Sequence, residues 1–220
     1  IKAVPEGTVV NTKNVLFIIE SLDEKCSWLT NFLESILLQV WYPTTVGTLS
    51  REVKKNLINY LKKTTSYNSE EISGVVAFML HDFGFRGVSS VESSGLGGSS
   101  HIINFMGTDT VSAILFAQEF YNTDNPLAFS IPASEHSTMT SWGEPFEVKA
   151  MENMLDSYPT GLVACVSDSF DIIRACRDYW GTALRDKILS RDGRLVIRPD
   201  SGDPVQTLKQ IFHILWDKFG

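Results

Sequence analysis

The residues best equipped for chemistry stand where short apolar runs end. Leu195-Val-Ile-Arg-Pro-Asp-Ser-Gly-Asp203 passes abruptly from a β-branched run into Arg198, Asp200, Ser201 and Asp203. Such a run suits a parallel strand covered on both faces, and Pro199, which has no N–H, stops the ladder. At the carboxyl end of a parallel strand a cation, two carboxylates and a hydroxyl can face one substrate. The same transition recurs after Leu80, Phe105, Ala133 and Val166. The polar tips there are His81-Asp-Phe-Gly-Phe-Arg86, Gly107-Thr-Asp109, Ser134-Glu-His136 and Ser167-Asp-Ser-Phe-Asp171.

The chemistry open to these tips follows from their residue types. His136, between Glu135 and the hydroxyls of Ser137 and Thr138, suits a nucleophile or general base oriented by its neighbours. The other three histidines, His81, His101 and His213, read as structural. Asp109, Asp168 and Asp200 could share a hard divalent ion or bind sugar hydroxyls. Arg86 and Arg198 offer forked donors suited to phosphate or pyrophosphate. Taken singly, each residue reads equally well as a surface salt bridge or a helix cap. Their joint placement at strand tips favours a site.

The elements that would hold these tips follow from periodicity. Apolar runs ending near Leu80, Phe105, Ala133, Val166 and Ile197, each followed by a helix-like segment, have the spacing of βα units. The fold expected is α/β, with residues 70–220 as much of a (β/α) barrel and a flat doubly wound sheet as the alternative. A full barrel needs about 250 residues. Residues 1–69 read as part of a smaller N-terminal α/β domain. Short strands over residues 1–4, 8–10 and 14–20 lead into a helix capped by Ser21 or Asp23 and broken by Pro43. A second helix follows over about 45–63, with Val46, Leu49, Val53, Leu57 and Leu61 on one face. Trp28, Phe32, Trp41 and Tyr42 read as helix core. The polar break at 64–69 is the expected domain boundary.

Composition narrows the function class. With 220 residues, 43% of them hydrophobic and 20% charged, the chain can bury a substantial core. A formal charge of -7 without any Lys/Arg cluster argues against nucleic acid or an anionic membrane as partner. Cys26, Cys165 and Cys176 form no C-x-x-C pair, which points away from disulfides and structural zinc and toward a reducing cytoplasm. Neither a membrane-spanning apolar run nor a signal-peptide pattern occurs. Because it opens on Ile1 in what reads as mid-strand, the chain is expected to be a piece of a longer one. Gly95-Leu-Gly-Gly98 lacks the third glycine of a dinucleotide loop, and close packing of small residues explains it. G-x-x-x-x-G-K-[ST], G-x-S-x-G and H-E-x-x-H are absent.

Taken together, residues 81–90 (His-Asp-Phe-Gly-Phe-Arg-Gly-Val-Ser-Ser), Gly107-Thr-Asp-Thr110, Glu135-His-Ser-Thr138, Val166-Ser-Asp-Ser-Phe-Asp171 and Ile197-Arg-Pro-Asp-Ser-Gly202 resemble the nicotinamide phosphoribosyltransferase family, in order and over nearly the whole chain. The resemblance implies a barrel of the type II phosphoribosyltransferase kind, in a homodimer with shared active sites. It implies transfer of phosphoribose from 5-phosphoribosyl 1-pyrophosphate to nicotinamide, giving nicotinamide mononucleotide and pyrophosphate in NAD salvage, with Mg2+ and with ATP as coupling substrate. Carried over by position, Phe83 would stack on the pyridine ring, Asp109 would accept from the carboxamide, and Arg198 would line that pocket. Asp200 would hold the ribose hydroxyls and Arg86 the phosphates. His136 would be phosphorylated by ATP, with Asp168 beside it near Mg2+. Phe85 stands where the family commonly has tyrosine, and Ser134 where it has alanine. The family's second stacking aromatic and its glycine-rich phosphate loop lie outside this sequence, so the fragment alone is expected to be inactive. The competing readings are nicotinate phosphoribosyltransferase, which Asp109 disfavours because a carboxylate there would repel nicotinate, and a truncated non-catalytic binding module.

Overall fold

The computed structural model describes residues 1–123 and 125–220. By compactness the chain divides into two units, Ile1–Phe129 and Ser130–Gly220. The polar break at 64–69 falls inside the first unit, between two helices.

The first unit opens on a two-residue antiparallel pair, β1 (Lys2–Ala3) with β2 (Phe17–Ile18). The expected strand at 8–10 does not form. Asp23 caps a 3-10 turn by accepting from Lys25 N, and α1 (Leu29–Leu37) follows. The long helix α2 (Trp41–Thr64) carries two corrections. Pro43 does not break it, because the first four N–H groups of a helix have no intrahelical acceptor and proline loses nothing there. The buried side is also rotated: Ser50 is buried, whereas Leu49 and Val53 are exposed. Nor do Trp28, Phe32 and Trp41 form a core; all three are exposed, and of that stripe Tyr42 packs inward, against Gly97.

After α2 come α3 (Ser69–Val76), β3 (His81–Asp82), α4 (Val91–Ile102), β4 (Gly107–Thr108) and α5 (Val111–Tyr121). The apolar run before Leu80, expected as a strand, starts in the last residues of helix α3 and continues as a turn and bend over 77–80. The start of α3 is fixed by a capping box in which Asn68 Oδ1 accepts from Glu70 N and Glu71 N while Glu71 accepts from Asn68 N. The strands are confined to the tips themselves: β3 and β4 pair in parallel, His81 opposite Gly107 and Asp82 opposite Thr108, and Phe129 bridges to Gly107, also in parallel.

The glycines of α4 are packing residues, as expected. A Cβ on Gly95 would lie 2.9 Å from Phe116, one on Gly97 2.8 Å from Tyr42, and one on Gly98 2.5 Å from Ala113 Cβ, so α2 and α5 both approach α4 closely. Buried His101 ties three elements together, with Ser50 Oγ 3.2 Å from its Nδ1 and its Nε2 3.0 Å from the Gly107 carbonyl.

The second unit contains α6 (His136–Thr140), α7 (Glu147–Ser157), β5 (Thr160–Val166), α8 (Ile172–Arg174), α9 (Arg185–Leu189), β6 (Asp192–Arg198) and α10 (Pro204–Phe219). Between α8 and α9 the backbone widens into a π-helical stretch, Ala175–Ala183. β5 and β6 pair in parallel over seven residues, from Thr160 opposite Asp192 to Val166 opposite Arg198, and Ala133 adds a parallel bridge to Ala164 on the other side of β5. This arrangement buries the carboxyl half of β5. Val163, Cys165 and Val166 pack with Met151, Leu155, Ala175 and Trp180, and the Trp180 indole donates to Ser167 Oγ at 3.0 Å.

Two glycine substitutions test this packing. Alanine for glycine inside a helix gains about 1 kcal/mol of propensity. Gly74 in α3 has nothing within 4 Å of a new Cβ, so Gly74→Ala is expected to raise the melting temperature. Gly98→Ala is expected to lower it despite that gain, by about 1–2 kcal/mol net, because the new methyl meets Ala113. Chemical denaturation of the two variants reads both signs.

Candidate functional site

The expected site residues fall into two groups, one in each unit. In the first unit, Asp109 follows β4, and its backbone N–H continues the ladder by donating to the Asp82 carbonyl at 2.9 Å. Its carboxylate accepts from His81: Nε2 to Oδ1 is 2.9 Å. The His81 ring lies 4.7 Å from the ring of Phe83, which is half exposed. α5 starts at Val111, and its N-cap residue is Thr110 rather than Asp109, with no side-chain cap. Arg86 lies exposed in the 3-10 turn Gly84–Gly87, which Asp82 braces by accepting from Gly84 N at 2.7 Å.

In the second unit the tips converge on Asp168. Oδ1 accepts from His136 Nε2 at 2.9 Å, and Oδ2 accepts from Asp200 N at 2.9 Å and from Ser201 Oγ at 2.6 Å. The other ring nitrogen, His136 Nδ1, lies 3.8 Å from Asp200 Oδ2. Since a carboxylate only accepts, Nε2 carries the proton and, in the neutral ring, Nδ1 carries the lone pair. The Asp168 side chain is nearly fully buried, although the residue as a whole is half-buried. Burial by itself would raise its pKa, but the bonds from Ser201, His136 and Asp200 N outweigh it and hold the carboxyl below its ordinary value. His136 starts α6, whose N-cap Glu135 accepts from Ser137 N at 2.8 Å. Arg198, at the end of β6, reaches the Ser134 carbonyl with Nη2 at 3.3 Å, which links the β6 tip to the turn before His136.

Both Asp168 oxygens are engaged by donors of the protein, and the carboxylate keeps lone-pair capacity beyond those three bonds. Among the described residues no group of three or more His, Cys, Asp or Glu could hold a metal.

The sequence offers Ser201 as a tip hydroxyl that can face substrate, but not its partner, a residue 33 positions away. His81 was read as structural, although it adjoins Phe83 by one position. Glu147 was not singled out at all. It is fully buried at the start of α7, and its spacing to Ala150, Met151 and Leu155 was the available signal, since the three share its buried face.

The geometry places an imidazole nitrogen, a fixed carboxylate and a hydroxyl around one strand end, and beside them an arginine. Such a set can bind a phosphorylated sugar and accept a phosphoryl group. Comparison with known proteins agrees with this class of chemistry: residues 78–220 match the nicotinate phosphoribosyltransferase (NAPRTase) family. The chain belongs to this family. Among its curated relatives, a protein of Xanthomonas campestris pv. campestris named nicotinamide phosphoribosyltransferase is 52% identical over 100% of this chain and 46% of its own length. One of the same name from Acinetobacter baylyi is 32% identical, again over 100% of this chain and 46% of its own. A Mycoplasma genitalium protein of that name is 32% identical over 86% of this chain and 38% of its own. The chain thus spans about half the length of the curated relatives it matches. The family match takes in every tip singled out above, from His81 to Asp203. No helix among the described residues is long and apolar enough to cross a membrane.

Glu147 gives this family member a testable pH response. Burial, opposed by Arg174 and reinforced by Glu144, Asp171 and Asp168, pushes its pKa from 4.5 to about 7. Arg174 stands 3.9 Å away but has its closer contact, 2.8 Å, with Glu144. A raised folded pKa means the folded state binds the extra proton between those values. The associated stability is complete below 4.5 and is lost as pH rises through 7. Glu147→Gln cannot ionise, so its stability relative to the parent should grow from pH 5 to pH 8, by at most about 3 kcal/mol. Thermal melts across that range check it. Parallel pH curves for the two proteins would show that Glu147 does not titrate there.

Proposed function

We propose that the gene product carrying this chain transfers phosphoribose from 5-phosphoribosyl 1-pyrophosphate to nicotinamide, forming nicotinamide mononucleotide and pyrophosphate, with ATP as coupling substrate. The observation that carries the reading is the His136–Asp168 contact braced by Asp200 N and Ser201. Its support is the name shared by the three relatives above and the contact of both Asp109 and Phe83 with His81.

Breaking the bond from C1 to pyrophosphate builds positive charge on the ribose and negative charge on the leaving group. Asp200 serves the ribose hydroxyls, Arg86 the phosphates, and Phe83 and Arg198 the pyridine ring. Mg2+ belongs to this reading as the companion of the phosphates, with Asp168 near it. His136 attacks the γ-phosphorus of ATP through Nδ1, ADP leaves with the bridging oxygen, and the Nε2 proton stays on its bond to Asp168. A phosphoryl group on Nδ1 repels the nearby Asp200 carboxylate and turns it toward the ribose, which couples the two halves of the cycle. The reading also includes a (β/α) barrel over residues 70–220 beside an N-terminal α/β domain over 1–69, a homodimer with shared sites, and a cytoplasmic setting.

His136→Ala is expected to abolish both ATP stimulation and acid-labile phosphate incorporation from γ-labelled ATP. Labelling that persists would place the phosphoryl acceptor elsewhere. Substrate choice rests on Asp109, whose carboxylate accepts from an amide N–H2 but repels nicotinate at a cost of several kcal/mol in a sheltered site. Asp109→Ser should therefore narrow the preference for nicotinamide over nicotinate by about tenfold or more. An unchanged ratio of specificity constants, measured for both substrates, would remove Asp109 as the reason for choosing the amide.

A further inference from the structure

We infer that His81 is a positioning residue that sets affinity for the amide by fixing Asp109, and that Gly107 is glycine to let it do so. The inference rests on the proposed reading of Asp109 as acceptor of the carboxamide.

Alternate residues of a strand project to the same face, so His81 and Phe83 share one side of their segment, as do Gly107 and Asp109. In the β3–β4 register His81 stands opposite Gly107 rather than Asp109. To reach Asp109, the imidazole must pass over the position where residue 107 would carry its side chain. It does so closely: a Cβ on Gly107 would lie 2.7 Å from His81 Nδ1 and 3.5 Å from its Cγ. From within the fold Gly107 is held by a second histidine, with His101 Nε2 3.0 Å from its carbonyl oxygen. The strand that carries Asp109 is thus fixed by a backbone bond to Asp82, by His101 from within, and by the imidazole of His81 across its missing side chain.

The consequence is chemical. The His81 Nε2–H bond at 2.9 Å sets the rotation of the Asp109 carboxylate about its side-chain bonds. A flat heteroaromatic amide stacked at Phe83 meets an acceptor already aimed at its N–H2, and ordering an acceptor before the ligand arrives lowers the cost of binding. A purely structural histidine would stabilise β3 and β4 without affecting affinity for the amide.

Three variants of the gene product that carries this chain separate these roles. His81→Leu removes the donor, His81→Gln keeps an N–H donor on a side chain of similar reach, and Gly107→Ala keeps His81 but places a methyl in its path. The readouts are kcat and KM for nicotinamide, nicotinamide binding by calorimetry without the phosphoribosyl donor, and melting temperature. His81→Leu and Gly107→Ala are expected to raise KM and the calorimetric Kd by roughly tenfold, with kcat changed by less than about threefold, and His81→Gln to recover most of the loss. Unchanged KM and Kd in His81→Leu, or a loss in His81→Gln as large as in His81→Leu with melting temperature lowered in both, would overturn the assignment to His81 alone. If the parent protein binds no nicotinamide, the reading of Asp109 itself falls, and the role of His81 with it.

Discussion

Asp168 accepts three hydrogen bonds on two oxygens, and its three donors come from two separate stretches of chain. It extends from the end of β5, holds the imidazole at the start of α6, and takes both a backbone N–H and a hydroxyl from the turn after β6. Buried and anionic, it would be costly without these donors, since an unsatisfied buried charge costs several kcal/mol. The three bonds offset that cost and make the relative positions of α6, β5 and β6 a condition of burying the group. The orientation of His136 thus follows from the requirement to satisfy Asp168.

The parallel register beneath makes this convergence possible. With Val166 opposite Arg198, the residues beyond them, Asp168 and Asp200, emerge at the same end of the sheet. The Ser167 N–H donating to the Arg198 carbonyl extends the ladder to the edge of the site. Trp180 closes the layer underneath through Ser167. Packing and chemistry therefore meet at adjacent residues: Ser167 faces the core while Asp168 faces the donors. Glu147 is the counterexample within the same unit, a buried carboxylate whose nearest cation is closer to another partner. Its raised pKa lets neutralisation by a proton stand in for a hydrogen-bonded counter-ion.

The tips were legible in the sequence because a change from β-branched residues to charges and hydroxyls is a local signal, and β5 and β6 end where that signal places them. The runs before Leu80 and Phe105 misled because a short apolar run has no period of its own. At the first, the helix opened by the capping box at Asn68 takes the start of the run, and the rest is turn and bend. The rotated face of α2 and the tolerance of Pro43 were not legible because both depend on where the helix starts, at Trp41, about one and a half turns before its periodicity becomes visible at Val46. The partners of Asp168 and Asp109 were hidden for a different reason. They are set by strand register, and His81 can reach past residue 107 only because that residue is glycine, a fact that acquires meaning once the two strands are paired.

The claim on which the account depends is that these tips serve phosphoribosyl transfer to an amide. The most direct measurement supplies the gene product that carries this chain with nicotinamide and 5-phosphoribosyl 1-pyrophosphate, with and without ATP, and follows nicotinamide mononucleotide and pyrophosphate together. The expected result is one pyrophosphate per mononucleotide, with synthesis increased by ATP. Failure to form the mononucleotide under either condition, or a product formed from nicotinate alone, would contradict it.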